Sequence, residues 1–384
     1  MIRLVADEGI AGLDALPGEA IQLTTVPGRE IAPPLLEQAD ALWVRSVTPV
    51  DAELLRASPL RFVGTATAGV EHIDRAYLRA RAIDFAAAPG ANANAVVEYV
   101  LAALLALDRP WADLERGETL GIVGMGAVGR RLAAVARRLG WRVRCCDPYL
   151  GARAGELDGV VLEPFAALLG ARVLSLHPSL LVEGRWPSHH LLDESALTQL
   201  RAPQTLINTA RGSVVDNRAL WRRLRAPHAP TVVLDVWEDE PRFHERLLTC
   251  AALRIATPHI AGYSAPARLN ATRMLYRAML DSKLREPAAL APLRGALAAA
   301  GECPPLAAAG APLTPAQLMR AVYDIARDDQ RLRALRHSQP GRRGAGFDSL
   351  RRNYPRRAEL ARSRLAPGCT LTAAAERLRA ALRL

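Results

Sequence analysis

The chain has 384 residues, half of them hydrophobic and 23% charged, which predicts two or three domains and excludes a mainly disordered protein. Its most apolar stretch, residues 95–107, is too short to span a bilayer and contains Glu98, so we expect no membrane partner. The net charge of +11 comes mostly from residues 320–384, where sixteen arginines accompany six acidic residues.

In the first ninety residues, short apolar runs alternate with helical or turn segments. Strands alternating with helices are typical of a parallel sheet. The predicted strands are Ile2–Ala6, Ile21–Val26, Ala41–Val44, Phe62–Thr65 and Phe85–Ala87.

A second alternating region follows. A helix is predicted over Asn94–Leu107, with Glu98 as its only charge, and another from Ala127 through Leu139. The predicted strands are Thr119–Val123, Arg142–Cys146, Arg172–Leu176, Thr205–Asn208, Thr231–Asp235 and Arg254–Ala256. A last long helix is predicted over Pro266–Leu284.

After Glu286 the sequence becomes rich in Ala, Pro and Gly, and helical patterns return near Pro315–Ile325 and Thr372–Leu384. We predict an α/β protein with two Rossmann-like doubly wound domains and a smaller α+β C-terminal domain. The predicted boundaries are 1–95 with 259–285 for a substrate domain, 96–258 for a nucleotide-binding domain inserted into it, and 286–384 for the third.

A glycine-rich turn indicates the nucleotide site. Gly124, Gly126 and Gly129 follow a predicted strand and open a predicted helix, and Asp147 ends the next strand. Such glycines let the backbone approach a pyrophosphate at the helix N-terminus, while the carboxylate accepts hydrogen bonds from the ribose. A carboxylate at Asp147 also repels a 2′-phosphate, so we predict NAD rather than NADP.

Three polar residues follow consecutive strands of this region. Arg211, Glu240 and His259 each lie at the carboxyl end of a strand, where open α/β sheets bind ligands. Oxidation of a 2-hydroxy acid needs a cation for the carboxylate, a base for the hydroxyl proton and an acid to orient that base. We therefore predict that these three are catalytic.

The remaining histidines, including His189 and His190, have no partner at a metal-ligand spacing, and the five cysteines form no Cys-x-x-Cys pair. No metal site is predicted. The cysteine pattern and a start without a long apolar segment favour a reduced, cytoplasmic protein.

These motifs resemble the D-isomer-specific 2-hydroxyacid dehydrogenases. The matching segments are Gly124–Gly129, Asn208–Gly212, Asp235–Pro241 and Pro258–Gly262. Segments 44–48, 62–69, 96–100, 322–329 and 347–354 are similar to a branch of the family that acts on a phosphorylated four-carbon 2-hydroxy acid. The resemblance implies a cytoplasmic homodimer whose C-terminal domain mediates dimerisation.

The resemblance also implies further contacts. The residues expected to bind NAD beyond the three glycines and Asp147 are Val128, Pro178, Ala210, Asp235 and Gly262. Those expected to contact substrate are Ser46, Thr67 and Tyr263. We add Arg351 and Arg352 of the arginine-rich region, from the same or the partner subunit, as candidate ligands of the substrate phosphate; the alternative is that they form only salt bridges between subunits.

The chain departs from the family pattern at His177-Pro178-Ser179-Leu180, where the family has His-Thr-Pro-Leu, and at Ala91, where it has Cys. Alternatives stay open at this point. They are another dehydrogenase of this family, acting on 3-phosphoglycerate or glyoxylate, and a non-enzymatic NAD-sensing protein. Nucleic acid is the least favoured partner, because the basic region has no interleaved aromatic motif.

Overall fold

The computed structural model describes residues 1–151, 156–157, 159–282, 284, 303, 305–307 and 310–383. The chain forms two compact units. The first contains Met1–Asn92 and Ser264–Cys303, and the second contains Ala93–Tyr263 and Pro304–Leu384. The predicted division into three domains stays a prediction, and its boundary at residue 286 lies outside the described residues.

The strands and helices of the described residues are as follows. The strands are β1 Ile2–Asp7, β2 Ile21–Val26, β3 Ala41–Val44, β4 Phe62–Thr65, β5 Asp84–Ala87, β6 Thr119–Val123, β7 Arg142–Cys146, β8 Glu156–Leu157, β9 Val160–Val161, β10 Val173–Leu176, β11 Thr205–Asn208, β12 Thr231–Leu234 and β13 Leu253–Ala256. The helices are α1 Pro33–Leu36, α2 Ala52–Leu55, α3 Arg75–Ala80, α4 Ala93–Leu107, α5 Arg109–Glu115, α6 Ala127–Arg138, α7 Pro148–Gly151, α8 Phe165–Leu168, α9 Glu194–Gln199, α10 Asn217–Arg225, α11 Ala265–Leu280, α12 Pro315–Val322, α13 Ile325–Ala334, α14 Arg343–Arg352 and α15 Ala373–Leu382.

The first unit is built on a parallel sheet whose described strands have the order β2-β1-β3-β4-β5. Strands β3 and β4 are buried along their whole length, as expected for parallel strands covered on both faces. Helix α11 packs on one face, and apolar residues around α2 and α3 fill the other. The strand order reverses between β1 and β3, which is where such sheets bind ligands.

The second unit is built on a parallel sheet whose described strands have the order β13-β12-β11-β10-β6-β7. Beyond β7, Leu162 forms an isolated parallel bridge with Cys145, in the position of a further short strand. With that bridge, the order matches the dinucleotide-binding arrangement, whose reversal lies between β6 and β10.

Helix α4 is the centre of the second unit's larger core. It is buried around most of its circumference, because α6 packs on one side and residues of the C-terminal region pack on the other. The C-terminal region also covers the edge of the sheet. Asp329 on α13 accepts a hydrogen bond from the backbone N–H of Ala256 on β13 at 2.8 Å, so part of this edge is satisfied by a side chain.

The prediction of two Rossmann-like parallel sheets is confirmed. The C-terminal region, predicted to be α+β, contains helices, and its described residues also form two isolated parallel bridges, Leu306 with Leu365 and Leu313 with Leu371. Two of the predicted helices have clearly different limits. The helix predicted over 266–284 ends at Leu280, because the N–H of Asp281 turns back to bond Arg277 and Met279 carbonyls. The helix predicted over 315–325 breaks at Tyr323, whose extended backbone separates α12 from α13.

Candidate active site

The first glycine of the motif turns the chain between β6 and α6. Gly124 has φ +88°, in the left-handed region that favours glycine. A Cβ there would lie 2.5 Å from the backbone N of Pro178. The turn is therefore packed against the segment that follows β10, and the predicted NAD contact of Pro178 stays a prediction.

The other two glycines have different roles. A Cβ on Gly129 would lie 1.9 Å from the Gly124 carbonyl oxygen, so glycine is needed there for helix α6 to approach the turn. A Cβ on Gly126 would meet nothing within 4 Å. Gly126 is the N-cap of α6 and supplies no side-chain cap, and Val128 lies in the first helical turn. This end of α6 therefore offers backbone N–H groups and open space to an anion.

Asp147 lies directly after β7 and holds the glycine turn. Its Oδ2 accepts a hydrogen bond from the N–H of Met125 at 2.9 Å, and its Oδ1 accepts one from the N–H of Tyr149 at 3.2 Å. The carboxylate is half-buried beside the turn. The predicted ribose contact of Asp147 stays a prediction.

His177 lies where the chain departs from the family pattern. Its Nε2 is 2.9 Å from Ser175 Oγ and its Nδ1 is 3.2 Å from Thr209 Oγ1. Burial lowers the pKa of His177 to about 3. The ring is therefore neutral at physiological pH and joins the ends of β10 and β11. Ser179 is exposed, and its carbonyl accepts from Ser188 Oγ at 2.6 Å.

The loop carrying Arg211 is shaped by its neighbours. Asn208 donates from Nδ2 to the Arg211 carbonyl at 3.0 Å, and its Oδ1 accepts from the N–H of Ala210 at 3.1 Å. A Cβ on Gly212 would lie 1.9 Å from the Trp237 carbonyl. Glycine at 212 therefore lets the Arg211 loop pack directly on the loop that leads to Glu240.

Glu240 and His259 form a hydrogen-bonded pair. Nδ1 of His259 donates to Oε2 of Glu240 at 2.7 Å, and Oε1 of Glu240 accepts from the N–H of Trp237 at 2.8 Å. Burial opposes ionisation of Glu240, but His259 and Arg351 outweigh it, so the pKa of Glu240 lies below its ordinary value. The His259 side chain is 32% exposed. Its Nε2 has no hydrogen-bond partner within the described chain, and this nitrogen can therefore exchange a proton with a ligand.

Asp235, predicted to contact NAD, is almost completely buried at 1% exposure. Its Oδ1 accepts from Thr257 Oγ1 at 2.6 Å and from the N–H of Ile260 at 2.8 Å, and its Oδ2 accepts from the N–H of Ala261 at 2.9 Å. Asp235 thus fixes the chain on both sides of His259, and Gly262 follows directly.

Arg351, from α14, lies next to the Glu240–His259 pair. Its Nη2 donates to the Tyr263 hydroxyl at 3.1 Å. Burial opposes its charge, but Tyr263 and Glu240 outweigh this, so the pKa of Arg351 is raised. Its Nε is buried with no partner among the described residues. Arg352 is exposed. The structure thus brings Arg351, but not Arg352, to the predicted catalytic residues.

The predicted substrate residues Ser46 and Thr67 belong to the first unit. Ser46 is exposed after β3, and Thr67 Oγ1 lies 2.7 Å from Thr65 Oγ1 at the end of β4. Arg45, beside Ser46, donates from Nε and Nη2 to the two carboxylate oxygens of Asp7 at 2.9 and 2.8 Å. Ser46 and Thr67 therefore follow strands β3 and β4 of the first sheet. Their substrate contacts stay predictions.

A histidine cluster lies elsewhere in the second unit. His190 Nε2 is 2.6 Å from Glu238 Oε1, and the rings of His189 and His190 stack with centroids 4.0 Å apart and planes 25° apart. The in-plane lone pairs of two nearly parallel stacked imidazoles lie in two separate planes, which does not favour their meeting at one metal ion. The arrangement is that of a histidine–carboxylate pair, and we assign no metal to it.

Sequence reasoning missed several residues that shape the site. Asn208, Gly212 and Thr257 adjoin predicted residues and could have been found as buried polar or glycine positions beside them. Arg357 could not, because its contacts with Ile260 and Ala261 span 97 and 96 residues. Glu98, a single acidic residue in an apolar helix, does indicate that a polar group from elsewhere in the chain binds this helix. That group is the main chain at Leu360 and Ala361, close to Arg357 in the sequence.

The second unit fits a dinucleotide. The open position at Gly126, the uncapped start of α6 and the carboxylate of Asp147 are the features that a pyrophosphate and a ribose require. No helix among the described residues combines the length and apolarity needed to cross a membrane.

Comparisons with known proteins agree with this geometry. A family model described as the NAD binding domain of D-isomer specific 2-hydroxyacid dehydrogenases matches residues 108–261, and a domain of unknown function (DUF3410) matches residues 313–380. The chain is 44% identical over 367 residues to the erythronate-4-phosphate dehydrogenase of Cellvibrio japonicus, covering 93% of each chain. It is 42% identical over 376 residues to that of Pseudomonas aeruginosa, covering 96% of each.

A solved structure supports the fold. The D-lactate dehydrogenase of Aquifex aeolicus, complexed with NAD and lactic acid, aligns with a TM-score of 0.59 at 24% identity, covering 73% of this chain and 95% of that one. The predicted family and the NAD cofactor are confirmed by the family model and the curated relatives. The chain belongs to the erythronate-4-phosphate dehydrogenase branch of the D-isomer-specific 2-hydroxyacid dehydrogenase family and is an NAD-dependent oxidoreductase.

Proposed function

We propose that the chain oxidises 4-phospho-D-erythronate to (R)-3-hydroxy-2-oxo-4-phosphooxybutanoate, in pyridoxine 5′-phosphate (vitamin B6) biosynthesis, as a cytoplasmic homodimer. The observation that carries the proposal is the His259–Glu240 pair beside Arg351, at the end of the dinucleotide-binding sheet. Two relatives named erythronate-4-phosphate dehydrogenase, 44% and 42% identical to this chain, support the choice of substrate.

Three side chains divide the chemistry. Arg211 holds the substrate carboxylate and polarises the carbonyl that forms at C2, which suits a bidentate guanidinium. Nε2 of His259 takes the proton from the C2 hydroxyl, and the ionised Glu240 stabilises the resulting imidazolium through Nδ1. When bound, NAD accepts the hydride from C2. Because Glu240 also accepts from the N–H of Trp237, the imidazole is held in one orientation.

Arg351 is the proposed ligand of the substrate phosphate. It is cationic, adjacent to Tyr263 and Glu240, and has a buried Nε without a partner among the described residues. Charge-assisted hydrogen bonds to such a group contribute about 1.5–3 kcal/mol each. Arg352 is exposed, which favours Arg351 over its neighbour.

The function is tested by following NADH formation with 4-phosphoerythronate, 3-phosphoglycerate and unphosphorylated erythronate. We expect kcat/KM to be highest for 4-phosphoerythronate and to fall by about one to three decades without the phosphate. A preference for 3-phosphoglycerate, or for glyoxylate in the reverse direction, would assign the chain to another substrate within the family.

The phosphate contact is tested by a matched pair, Arg351→Ala and Arg352→Ala. We expect Arg351→Ala to raise KM for 4-phosphoerythronate by about 10- to 100-fold and to leave KM for NAD unchanged. Arg352→Ala should leave both constants within about twofold. Oligomeric state is measured for both variants, because a dissociated dimer would imitate the effect. An unchanged KM in a correctly assembled Arg351→Ala variant would place the phosphate elsewhere, with Arg45, Ser46 and Thr67 as the next candidates.

A further inference from the structure

The main-chain groups of the two residues that follow His259 are held by buried charged side chains. Asp235 accepts hydrogen bonds from the N–H groups of Ile260 and Ala261, at 2.8 and 2.9 Å. Arg357 donates from Nη1 to the Ile260 carbonyl at 3.3 Å and from Nη2 to the Ala261 carbonyl. Asp235 and Arg357 are 1% and 5% exposed. The main chain next to His259 therefore has little freedom to rotate.

The backbone of His259 itself needs such support. Its φ is +57°, in the left-handed region, where non-glycine residues are uncommon. A residue in that conformation persists when its surroundings over-determine it. The N–H of His259 donates to the Asp235 carbonyl at 2.6 Å, which fixes the start of the segment. At its end, the Ile260 carbonyl accepts from the N–H of Tyr263 at 2.9 Å and from Arg357, and Arg357 is the side chain that binds both carbonyls.

Arg357 is firmly placed by the C-terminal region and α4. Its guanidinium carbon lies 4.3 Å from the centroid of the Tyr323 ring, and its Nη2 also donates to the Ala95 carbonyl at 3.1 Å. Close behind it in sequence, the N–H groups of Leu360 and Ala361 donate to the Glu98 carboxylate at 2.7 and 2.9 Å. The segment that carries Arg357 is thus docked on the helix at the centre of the second unit.

The charge of Arg357 is retained despite its burial. Burial opposes the charge, but Tyr354, Tyr323, Glu98 and Asp328 outweigh it, so the pKa of Arg357 is raised. A cation with several donors in a fixed plane can bind two consecutive carbonyls at once, whereas an ammonium group is a compact point charge on a flexible stem. The contact therefore depends on the shape of the guanidinium as well as on its charge.

We propose that Arg357 is a positioning residue for the dehydrogenase reaction. By holding the Ile260 and Ala261 carbonyls, it keeps the His259 imidazole aligned with Glu240. The region matched by the domain of unknown function, residues 313–380, thereby acts on the reaction through the main chain of the catalytic loop. This inference rests on the proposed role of His259 as the proton acceptor.

The test compares Arg357→Lys with Arg333→Lys in the full-length protein. Arg333 is a matched control, because it also comes from the C-terminal region and donates to two main-chain carbonyls, those of Leu248 at 2.9 Å and Leu253 at 2.7 Å. Leu248 precedes β13 and Leu253 begins it, so neither carbonyl belongs to the segment that follows His259. Arg333 also pairs with Asp329 on its own helix. Both substitutions keep the positive charge and lose the planar fork.

We expect Arg357→Lys to lower kcat by about 10- to 100-fold while KM for NAD changes by less than about twofold. Hydrogen–deuterium exchange should become faster at Ile260 and Ala261 in this variant and stay unchanged near β13. Arg333→Lys should show the opposite exchange pattern and keep kcat within about twofold. Thermal unfolding of both variants establishes whether they lose similar stability.

Equal losses of kcat in the two variants would overturn the proposal, because they would show a merely structural contribution of the C-terminal region. Faster exchange at residues 260–261 with an unchanged kcat would also overturn it. The exchange measurement needs no substrate. If 4-phosphoerythronate is not oxidised by the unmodified protein, the proposed substrate is wrong. The kcat values of the two variants are then measured with a 2-hydroxy acid that the unmodified protein does oxidise.

Discussion

The two parallel sheets of the molecule end in different ways. In the first unit, Asp7 at the end of β1 is completely buried and is bound by two nitrogens of Arg45. In the second unit, Asp147 at the end of β7 is half-buried and accepts hydrogen bonds from main-chain N–H groups. Asp7 also accepts a hydrogen bond from the N–H of Gly9 at 2.8 Å. Both carboxylates thus bind main-chain N–H groups at a turn that contains glycine, and among the described residues only Asp7 is paired with a cation as well.

The difference shows how one architecture supplies two kinds of surface. The Asp7–Arg45 pair uses its charges on each other, and Gly9 and Gly28 provide the space for it, since a Cβ on either would lie within 2.5 Å of the pair. The second sheet instead leaves an uncapped helix start and open space at Gly126. We therefore expect substitutions in the first sheet's pair to affect stability and those in the second sheet's loops to affect binding and turnover.

The largest expected effect is on turnover, at His259. His259→Ala removes the proposed proton acceptor and should lower kcat by about 10²–10⁴-fold, with NAD binding retained. His190→Ala is the matched control, because His190 also pairs with a carboxylate, Glu238, at 2.6 Å in the same unit. We expect it to keep kcat within a few-fold. Near-normal turnover in His259→Ala, measured by NADH formation, would contradict the assignment.

The Asp7–Arg45 pair of the first sheet tests the expectation that substitutions there affect stability. Asp7→Asn leaves Arg45 without its bidentate partner and should lower the free energy of unfolding by about 3 kcal/mol. The double variant Asp7→Asn with Arg45→Met should recover part of this loss, because it removes the unpaired cation as well. Urea unfolding followed by circular dichroism measures both. A single variant with an unchanged unfolding midpoint would show that the pair contributes nothing.

Two glycines separate binding from stability within one turn. Gly126→Ala adds a Cβ into open space, so it should preserve stability and raise the Kd for NADH by about tenfold. Gly124→Ala places a Cβ 2.5 Å from the Pro178 backbone at φ +88°, so it should destabilise the second unit. NADH fluorescence titration and thermal unfolding distinguish the two. A weakened fold in Gly126→Ala with unchanged NADH affinity would reverse this interpretation.

The elements of both sheets could be predicted closely from the sequence. Strand Ala41–Val44 is a continuous apolar run, and strand Thr205–Asn208 has two apolar residues between two polar ones; the structure gives both strands the predicted limits. Buried parallel strands leave this signal because both their faces are covered. The nucleotide-binding turn could also be predicted, because the spacing of Gly124, Gly126 and Gly129 is a local sequence pattern between a strand and a helix.

The contacts of the C-terminal region could not be predicted in this way. Arg351 reaches Tyr263 across 88 residues, and Glu98 binds the N–H of Leu360 across 262 residues. No local periodicity encodes a contact of that separation. Arginines in a basic segment are normally exposed. The half-buried Arg351 and the buried Arg357 are therefore distinguishable from exposed ones such as Arg352 only once the chain is folded.

Asp147 offers a smaller effect that sharpens the comparison with Asp7. Asp147→Ser removes the negative charge while keeping a hydroxyl near the ribose position. We expect the ratio of kcat/KM for NAD over NADP to fall by about tenfold, because the repulsion of a 2′-phosphate is lost. A small loss of stability should accompany it, since the N–H of Met125 loses its carboxylate partner. An unmodified protein that prefers NADP would contradict the predicted role.

The smallest effect concerns pH and His177. Burial lowers its pKa to about 3, below the value of about 6.5 expected in the unfolded chain. Between these values the unfolded chain binds a proton that the folded chain does not, so the contribution of His177 to stability is full above pH ~6.5 and is lost progressively as the pH falls toward 3. The slope from one such proton is at most about 1.4 kcal/mol per pH unit.

The variant His177→Gln tests this pH dependence. It keeps a polar side chain near Ser175 and Thr209 but cannot take up the proton. The difference in unfolding free energy between the unmodified protein and this variant should therefore shrink on acidification from pH 7 to pH 5, whereas His337→Gln, at an exposed position, controls for the loss of a histidine. Parallel stability curves for the unmodified protein and His177→Gln would show that the imidazole is not held neutral by the fold.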